Sequence, residues 1–266
     1  MAEPTRKRGR PRSAPDSAGT ILALDRALDI LDLLAAQPGL TLSEVAEKSD
    51  QSPSTVHRVL HTLAARGVAE TDPATQTWHI GPATFRLGSA FMRRSGIVER
   101  ARPVLRALME HTGETANLGI LNGDAVLFVS QAETHETIRA FFPPGTRSPL
   151  HASGIGKALL AFGRPETLTA LLEQAPLKRF TDKTLTTAEA LGEDMARIRQ
   201  RGFAFDDEEK TRGMRCIAAP VFDLTGEAVA GISVSGPSHR IGPAHVKTLG
   251  AAVAAAAGDL TQALGG

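Results

Sequence analysis

Hydroxyl, imidazole and guanidinium side chains crowd into the stretch SDQSPSTVHRVLHTLAARG, residues 49–67. On a helical wheel Ser54, Arg58 and His61 lie opposite an apolar stripe of Val56, Val59, Leu60, Leu63 and Ala64, with Ser52, Thr55 and His57 at the helix start or its flank. Short hydroxyls bond phosphate oxygens and long donors reach base edges, so the set suits a nucleic acid. An ordinary solvated face would carry the same residue types, and only the surrounding elements can decide between the two. His57 and His61 stand four apart, the helical spacing of a two-histidine metal pair. No third ligand and no catalytic Glu lies near them, so no metal is expected.

A second group lies in the C-terminal half. In GISVSG a period of two sends Ser233 and Ser235 to one face of a strand and Ile232 and Val234 to the other. In RCIAAP, Cys216, Ala218 and Pro220 alternate with Arg215, Ile217 and Ala219. If the two strands are neighbours, Cys216 and the serines share one concave site; if not, the serines are solvated and the cysteine is structural. HASGIGKALL offers a further wall: Gly154 and Gly156 let backbone approach a ligand, and the helix that follows aims free amides at an anion such as a carboxylate. It is no Walker A loop, because His151 stands where the first Gly belongs and Ala158 replaces the magnesium-holding Ser or Thr. His151 ranks below the serines as a ligand contact.

An enzymatic alternative uses Cys216 as nucleophile near His151, acting on a small acyl or lactone ligand. No third orienting residue or oxyanion donor accompanies them, so no catalytic residue and no cofactor is expected. A redox role is disfavoured as well, since a strand-buried thiol with only Arg215 as basic neighbour is unreactive.

The elements that must position these groups follow from periodicity and punctuation. Ile21, Leu24, Leu28, Leu31 and Leu34 recur at helical spacing over 21–36, ahead of Pro38 and Gly39. Thr41 with Glu44 is a capping box opening a short helix to about Ser49, with Leu42, Val45 and Ala46 inward. After Asp50 and Gln51, Ser52 caps a third helix with Pro53 in its first position, and Gly67 closes it. VAET and TWHIG then flank the Asp-Pro turn of DPATQ, with Thr75 and Gln76 at the tip. Three helices and a hairpin predict a winged helix-turn-helix, the docking frame of a DNA reader.

A helical connector is predicted over 82–95, with Phe85, Leu87, Phe91 and Met92 as packing or dimer contacts, then a helix over 97–112. Asn122-Gly123 between two β runs signals a hairpin. Strands at TIRAFF, GFAFD, RCIAAPVFD and EAVAGISVS alternate with helices after Ser153, near 188–200 and after Pro243. This half reads as an α/β sensor domain.

Hydrophobic residues make up 42% of the 266, enough for ordinary cores. A single cysteine excludes an internal disulfide and a Cys-rich zinc site, and no span reaches the 18 or so apolar residues that cross a bilayer. A cytoplasmic, nucleoid-associated location without membrane partners is expected. Net charge is only +1, yet Arg6, Lys7, Arg8, Arg10 and Arg12 face Glu3 alone in the first twelve residues. This flexible basic arm suits phosphates or a narrow minor groove, and equally a solubilising tail. An architectural, shape-reading DNA protein is a further alternative, against which the large sensor half argues.

ALDRALDILDLLA, TLSEVAEKSDQSPSTVHRVLHTLAARG and WHIGPATFRLG resemble the DNA-binding half of the IclR family of bacterial transcription regulators. LHASGIGKALLA and GFAFDDEEKTRGMRCIAAPVFDLTGEAVAGISVSGP resemble its effector-binding half. The resemblance implies an α+β protein of two domains: an arm (1–19), a winged helix-turn-helix (20–81), a linker helix (82–96) and a GAF-like effector domain with an antiparallel sheet (97–266). It implies a ligand-responsive repressor of a catabolic operon, working as a dimer or dimer of dimers on double-stranded operator DNA. Ser52, Ser54, Thr55, His57 and Arg58 match its recognition helix, and Arg26 a basic position of the first helix. Asp206, Cys216, Ser233 and Ser235 match its effector site, Asp206 because it stands ten before Cys216. His151, Ser153, Gly154 and Gly156 complete the expected contacts for a small effector, a carboxylate or an aromatic acid.

Overall fold

A computed structural model of the chain describes residues 21–265 apart from position 175, and not the side chains of 92–95. The basic arm with Arg6, Lys7, Arg8, Arg10 and Arg12 lies outside the described residues, as does the side chain of Met92. The chain forms two compact units, one ending at Arg94 and the other spanning Ser95–Gly266.

The first unit runs α1 (Leu22–Ala36), β1 (Leu40–Thr41), α2 (Leu42–Lys48), α3 (Pro53–Ala65), β2 (Ala69–Thr71), β3 (Thr77–Ile80) and α4 (Pro82–Ser95), with sheet order β1-β3-β2. Local chemistry sets the boundaries. Thr41 and Glu44 close the predicted capping box, and Ser52 Oγ accepts the Thr55 N–H at 3.2 Å to start α3. The tight link between the two helices needs Asp50 in the left-handed region at φ 51°. Val56 and Leu60 of α3, Val45 and Ala46 of α2, Ile30 and Leu34 of α1 and Trp78 of β3 form one core, each large side chain contributing roughly 1.5–3 kcal/mol by leaving water. The stripe of α1 is only partly used. Ile30 and Leu34 are buried, whereas Ile21, Leu24 and Leu28 remain more than half exposed, because the core touches only the C-terminal part of the helix.

The second unit opens with α5 (Ile97–Thr112) and the hairpin β4 (Thr115–Asn122) and β5 (Ala125–Ala132), which turns at Asn122-Gly123 as predicted. Then come β6 (Arg147–Pro149), α6 (Gly154–Phe162), α7 (Pro165–Leu172), α8 (Ala188–Arg201), β7 (Ala204–Asp207), β8 (Met214–Phe222), β9 (Ala228–Pro237) and, after a 3-10 turn at Pro243–His245, α9 (Val246–Leu264). The strands form an antiparallel sheet in the order β6-β5-β4-β9-β8-β7. Helix α6 crosses the face that carries Cys216 and Ala218, and α9 covers the other near Ala219.

The strand expected at TIRAFF does not form. Ile138 and Phe141 of that stretch are largely exposed, while Phe142 stacks on Phe128 with ring centroids 5.0 Å apart. Pro143 and Pro144 supply no N–H donors, and Gly145 at φ 97° reverses the chain. The edge beside β5 is therefore taken by β6, which the sequence reading missed together with α7 and β1.

Two glycines fix the distance between α6 and the sheet. A Cβ at Gly231 would stand 2.8 Å from Ile155 Cγ2, and one at Gly154 would stand 2.7 Å from Cys216 Sγ. Their bare backbones let helix and sheet approach closely.

Candidate functional site

Two polar constellations emerge, one in each unit. On α3, Ser52, Ser54, His57, Arg58 and His61 are exposed, and Thr55 half-exposed, on the side away from Val56 and Leu60. Ser52 Oγ lies 3.0 Å from Ser54 Oγ and 2.9 Å from Thr55 Oγ1, so the three hydroxyls form one small network at the helix start. The first-turn amides there add partial positive charge. His61 is less free than its neighbours: its ring stands 4.2 Å from that of His57 and meets Trp78 edge-on at 5.7 Å. Arg26 is exposed on α1, and its carbonyl accepts from Gln51 Nε2 at 3.2 Å, which ties α1 to the turn before α3. Thr75 and Gln76 are exposed at the hairpin tip, where Asp72 Oδ1 accepts the Ala74 N–H at 2.8 Å and Gln76 takes φ 56°. No group of three or more metal-ligating side chains occurs among the described residues.

The second constellation is assembled by register. Asp206 pairs with Cys216, Cys216 with Ser235 and Ser235 with Thr115, so one row crosses four strands. The next row on the same face holds Ala218, Ser233 and Asn117. Asn117 escaped the sequence reading. Its Nδ2 lies 3.4 Å from both Ser233 Oγ and Ser235 Oγ, and its buried Oδ1 has no partner among the described residues. The alternation of polar Thr115 and Asn117 with apolar Ala116 and Leu118 was the available signal.

A cleft of about 430 Å³, counting its open mouth, runs over this row. Of the expected residues it is lined by Ser153, Gly154, Asp206, Cys216 and Ser235; Phe128, Phe142, Ser148 and Lys210 add walls that the sequence did not reveal. His151, Gly156 and Ser233 lie outside the lining. The His151 ring nitrogen Nε2 is engaged with the Lys178 carbonyl at 2.9 Å. Gly156 packs against the backbone of Leu150, where a Cβ would collide. Ser233 sits fully buried beside Asn117. Ser153 caps α6, its Oγ accepting the Gly156 N–H at 3.2 Å.

Electrostatics set the character of the cleft. Burial pushes the Asp206 carboxyl up to about 6, with the Lys157 ammonium pulling the other way. Burial and the Asp206 carboxylate push the Cys216 thiol up to about 11, which leaves it protonated and a poor nucleophile at neutral pH. Behind the row lies a charge cluster the sequence did not suggest. Lys157, 1% exposed, donates from Nζ to Asp194 Oδ2 at 2.8 Å, to the Phe205 carbonyl at 2.6 Å and to Glu209 Oε1. Burial alone would lower this lysine's proton affinity, but Glu209 and Asp194 together hold it above the usual range. Glu209 reaches back with its N–H to Asp206 Oδ1 at 2.8 Å, which links the cluster to the cleft.

The comparisons with known proteins agree with this architecture. Residues 23–73 match the family described as IclR helix-turn-helix domain, and residues 89–262 match Bacterial transcriptional regulator IclR C-terminal. The chain is 67% identical over 267 residues to the HTH-type transcriptional regulator BhcR of Paracoccus denitrificans, covering 98% of this chain and 95% of that one. It is 38% identical over 266 residues to the Transcriptional repressor IclR of Escherichia coli K12, covering 98% and 97%. The crystal structure of the Thermotoga maritima IclR superposes with a TM-score of 0.76 at 29% identity, covering 93% of this chain and all of that one. The relatives are regulators, not enzymes. With matches running through both units, the chain belongs to the IclR family and is a DNA-binding transcriptional regulator.

Proposed function

We propose that this regulator is a repressor of a catabolic operon and that a small metabolite, held over the Asp206–Cys216–Ser235 row, governs its grip on operator DNA. The observation that carries the reading is the pairing of an exposed polar helix start on a capped α3 with a separate polar cleft in the other unit. Ser52, Ser54, Thr55, His57 and Arg58 then enter the major groove, with Arg26, Thr75 and Gln76 on the backbone beside it and the arm residues Arg6, Lys7, Arg8, Arg10 and Arg12 on neighbouring phosphates. Asp206, Cys216, Ser235, Ser153 and Gly154 touch the effector, while Ser233 and Asn117 orient the row from below. His151 and Gly156 serve by holding the loop before α6.

The protein acts in the cytoplasm, on the nucleoid, as a dimer or dimer of dimers. Two exposed apolar sets in the first unit support a second copy: Ile21, Leu22, Leu24 and Leu28 on α1, and Phe85, Leu87 and Phe91 on α4. An effector that prefers one arrangement of the sensor pair changes the spacing of the two DNA heads, to the extent that its affinity differs between the two states.

Gel shift on DNA upstream of the protein's own gene tests both halves. Arg58→Ala is expected to cost about 1–3 kcal/mol on the specific site and little on unrelated sequence. Ser233→Ala with Ser235→Ala is expected to bind DNA normally and to lose the response to effector. Equal loss on all DNA from Arg58→Ala removes α3 from the groove, and a double mutant that still responds removes the serine row from the sensor.

A further inference from the structure

Lys210 stands apart from the other cations of this region. It lies in the connection between β7 and β8, half-buried, on the wall of the same cleft as Asp206, Cys216 and Ser235. Its Nζ donates to Ser148 Oγ at 2.7 Å and lies 5.9 Å from the centroid of the Phe142 ring. Both of those partners are neutral. Its neighbours are all matched: Lys157 by Asp194 and Glu209, Lys183 by Asp207 and Glu208, Arg215 by Asp207 and Glu208, Arg212 by Asp182. Among the described residues no carboxylate lies within 4.0 Å of Lys210 Nζ.

We infer that Lys210 is the residue that makes the cleft select an anion, its ammonium pairing with the carboxylate of a small monocarboxylic acid that also bears a hydroxyl. An ammonium partly stripped of water with no carboxylate in contact is costly, and a bound carboxylate offsets that cost with a charge-assisted hydrogen bond. Burial accordingly lowers the proton affinity of Lys210, while the field of Asp206 opposes the shift. Ser148, 2% exposed on β6, and the Phe142 ring hold the ammonium at the wall.

Asp206 decides the other end of the ligand. Its buried Oδ1 accepts the Glu209 N–H, and as an acid it repels a second negative group while accepting from a donor. One cation and one acid in a single narrow cleft therefore suit a ligand with a carboxylate at one end and a hydroxyl at the other. Dicarboxylates and uncharged sugars fit this pairing poorly.

This inference rests on the cleft being the effector site, and the test separates the two. Binding of glycolate, lactate and 3-hydroxybutyrate, and of the amide of each, is measured by calorimetry on the full chain. The wild-type protein is expected to bind at least one of the acids, and to prefer it over its amide by about ten- to a hundredfold. Lys210→Met, which keeps the apolar stem against Phe142, is expected to erase that preference, and Lys210→Arg to keep most of it. A melting curve shows whether each variant is folded, and Lys210→Gln replaces the Met variant if it is not. No binding by any of the acids, or an unchanged preference in a folded Met or Gln variant, overturns the assignment of Lys210. If the Ser233→Ala, Ser235→Ala protein binds the acids as the wild type does while the Lys210 variants do not, the serine row fails and Lys210 stands.

Discussion

The exposed start of α3 and the cleft are both made of small polar side chains, but they are held in opposite ways. On α3 the polar groups sit on solvent, apart from the core of Val56 and Leu60, and bond mainly to one another. In the second unit the polar row is part of the interior: Asp206, Ser233, Ser235 and Asn117 are all buried, and Lys157 behind them is satisfied by three oxygens. A surface face can change its chemistry without changing its fold. A buried row cannot, because each group removed leaves a partner desolvated and unpaired. Substitutions of the buried charges in the second unit are thus expected to act first through stability, and those on the exposed face of α3 to leave the fold largely intact.

The largest effect should come from Lys157→Met. It leaves Asp194 and Glu209 buried without their cation, and loss of one partner from such a cluster costs about 3–5 kcal/mol. In a unit of this size that corresponds to a fall in melting temperature on the order of 10 °C. Neutralising the orphaned acids with Asp194→Asn and Glu209→Gln in the same chain should recover part of the loss. A Lys157→Met protein that melts like the wild type would break the contrast between the two sites.

A somewhat smaller effect is expected from pH at Asp206. Burial raises its folded carboxyl from the ordinary 3.8 to about 6. The native state therefore holds the proton more tightly than the unfolded chain does. The stability this group contributes is greatest below about pH 4, declines as pH rises through about 6, and is constant above. The decline amounts to about 2–3 kcal/mol. Asp206→Asn keeps an oxygen for the Glu209 N–H but has no proton to lose, so its stability should be flatter than the wild type across that window. Guanidinium unfolding at several pH values between 4 and 7 measures the difference in slope, and parallel curves would show that Asp206 is solvated like a surface acid.

How much of each site the sequence disclosed follows the same division. Helix α3 was legible because its cap, its proline, its apolar spacing and its polar face all lie in one short run and need no knowledge of the rest of the chain. The Cys216 and Ser235 pairing was half legible: period two put each on a face, but only the register of β8 with β9 made them neighbours. Lys157 and Lys210 were not legible. Their meaning depends on Asp194 and Glu209, 37 and 52 residues from Lys157, and on Ser148, 62 residues from Lys210. A lone lysine in the apolar helix GIGKALLAF was a clue to burial, though nothing local says what neutralises it. The missed edge strand has the same origin, since TIRA alternates as a strand would, and the prolines and the chain reversal at Gly145 that follow lie beyond that run.

The smallest effect separates two serines that differ only in their place on α3. Ser52 accepts the Thr55 N–H and so satisfies one of the free donors of the first turn, whereas Ser54 touches only the Ser52 hydroxyl, at 3.0 Å. Ser52→Ala should cost about 1 kcal/mol of stability in the first unit. Ser54→Ala, at an exposed position with no structural partner but another hydroxyl, should stay within about 0.5 kcal/mol of the wild type. If the exposed face of α3 meets DNA, both should weaken binding to the specific site, and the loss in the Ser54 variant cannot be blamed on a melted helix. Urea unfolding paired with gel shift on the same two proteins provides the comparison. A Ser54→Ala protein that binds as tightly as the wild type would confine the role of this hydroxyl to the capping network and move the contact surface further along the helix, toward Arg58.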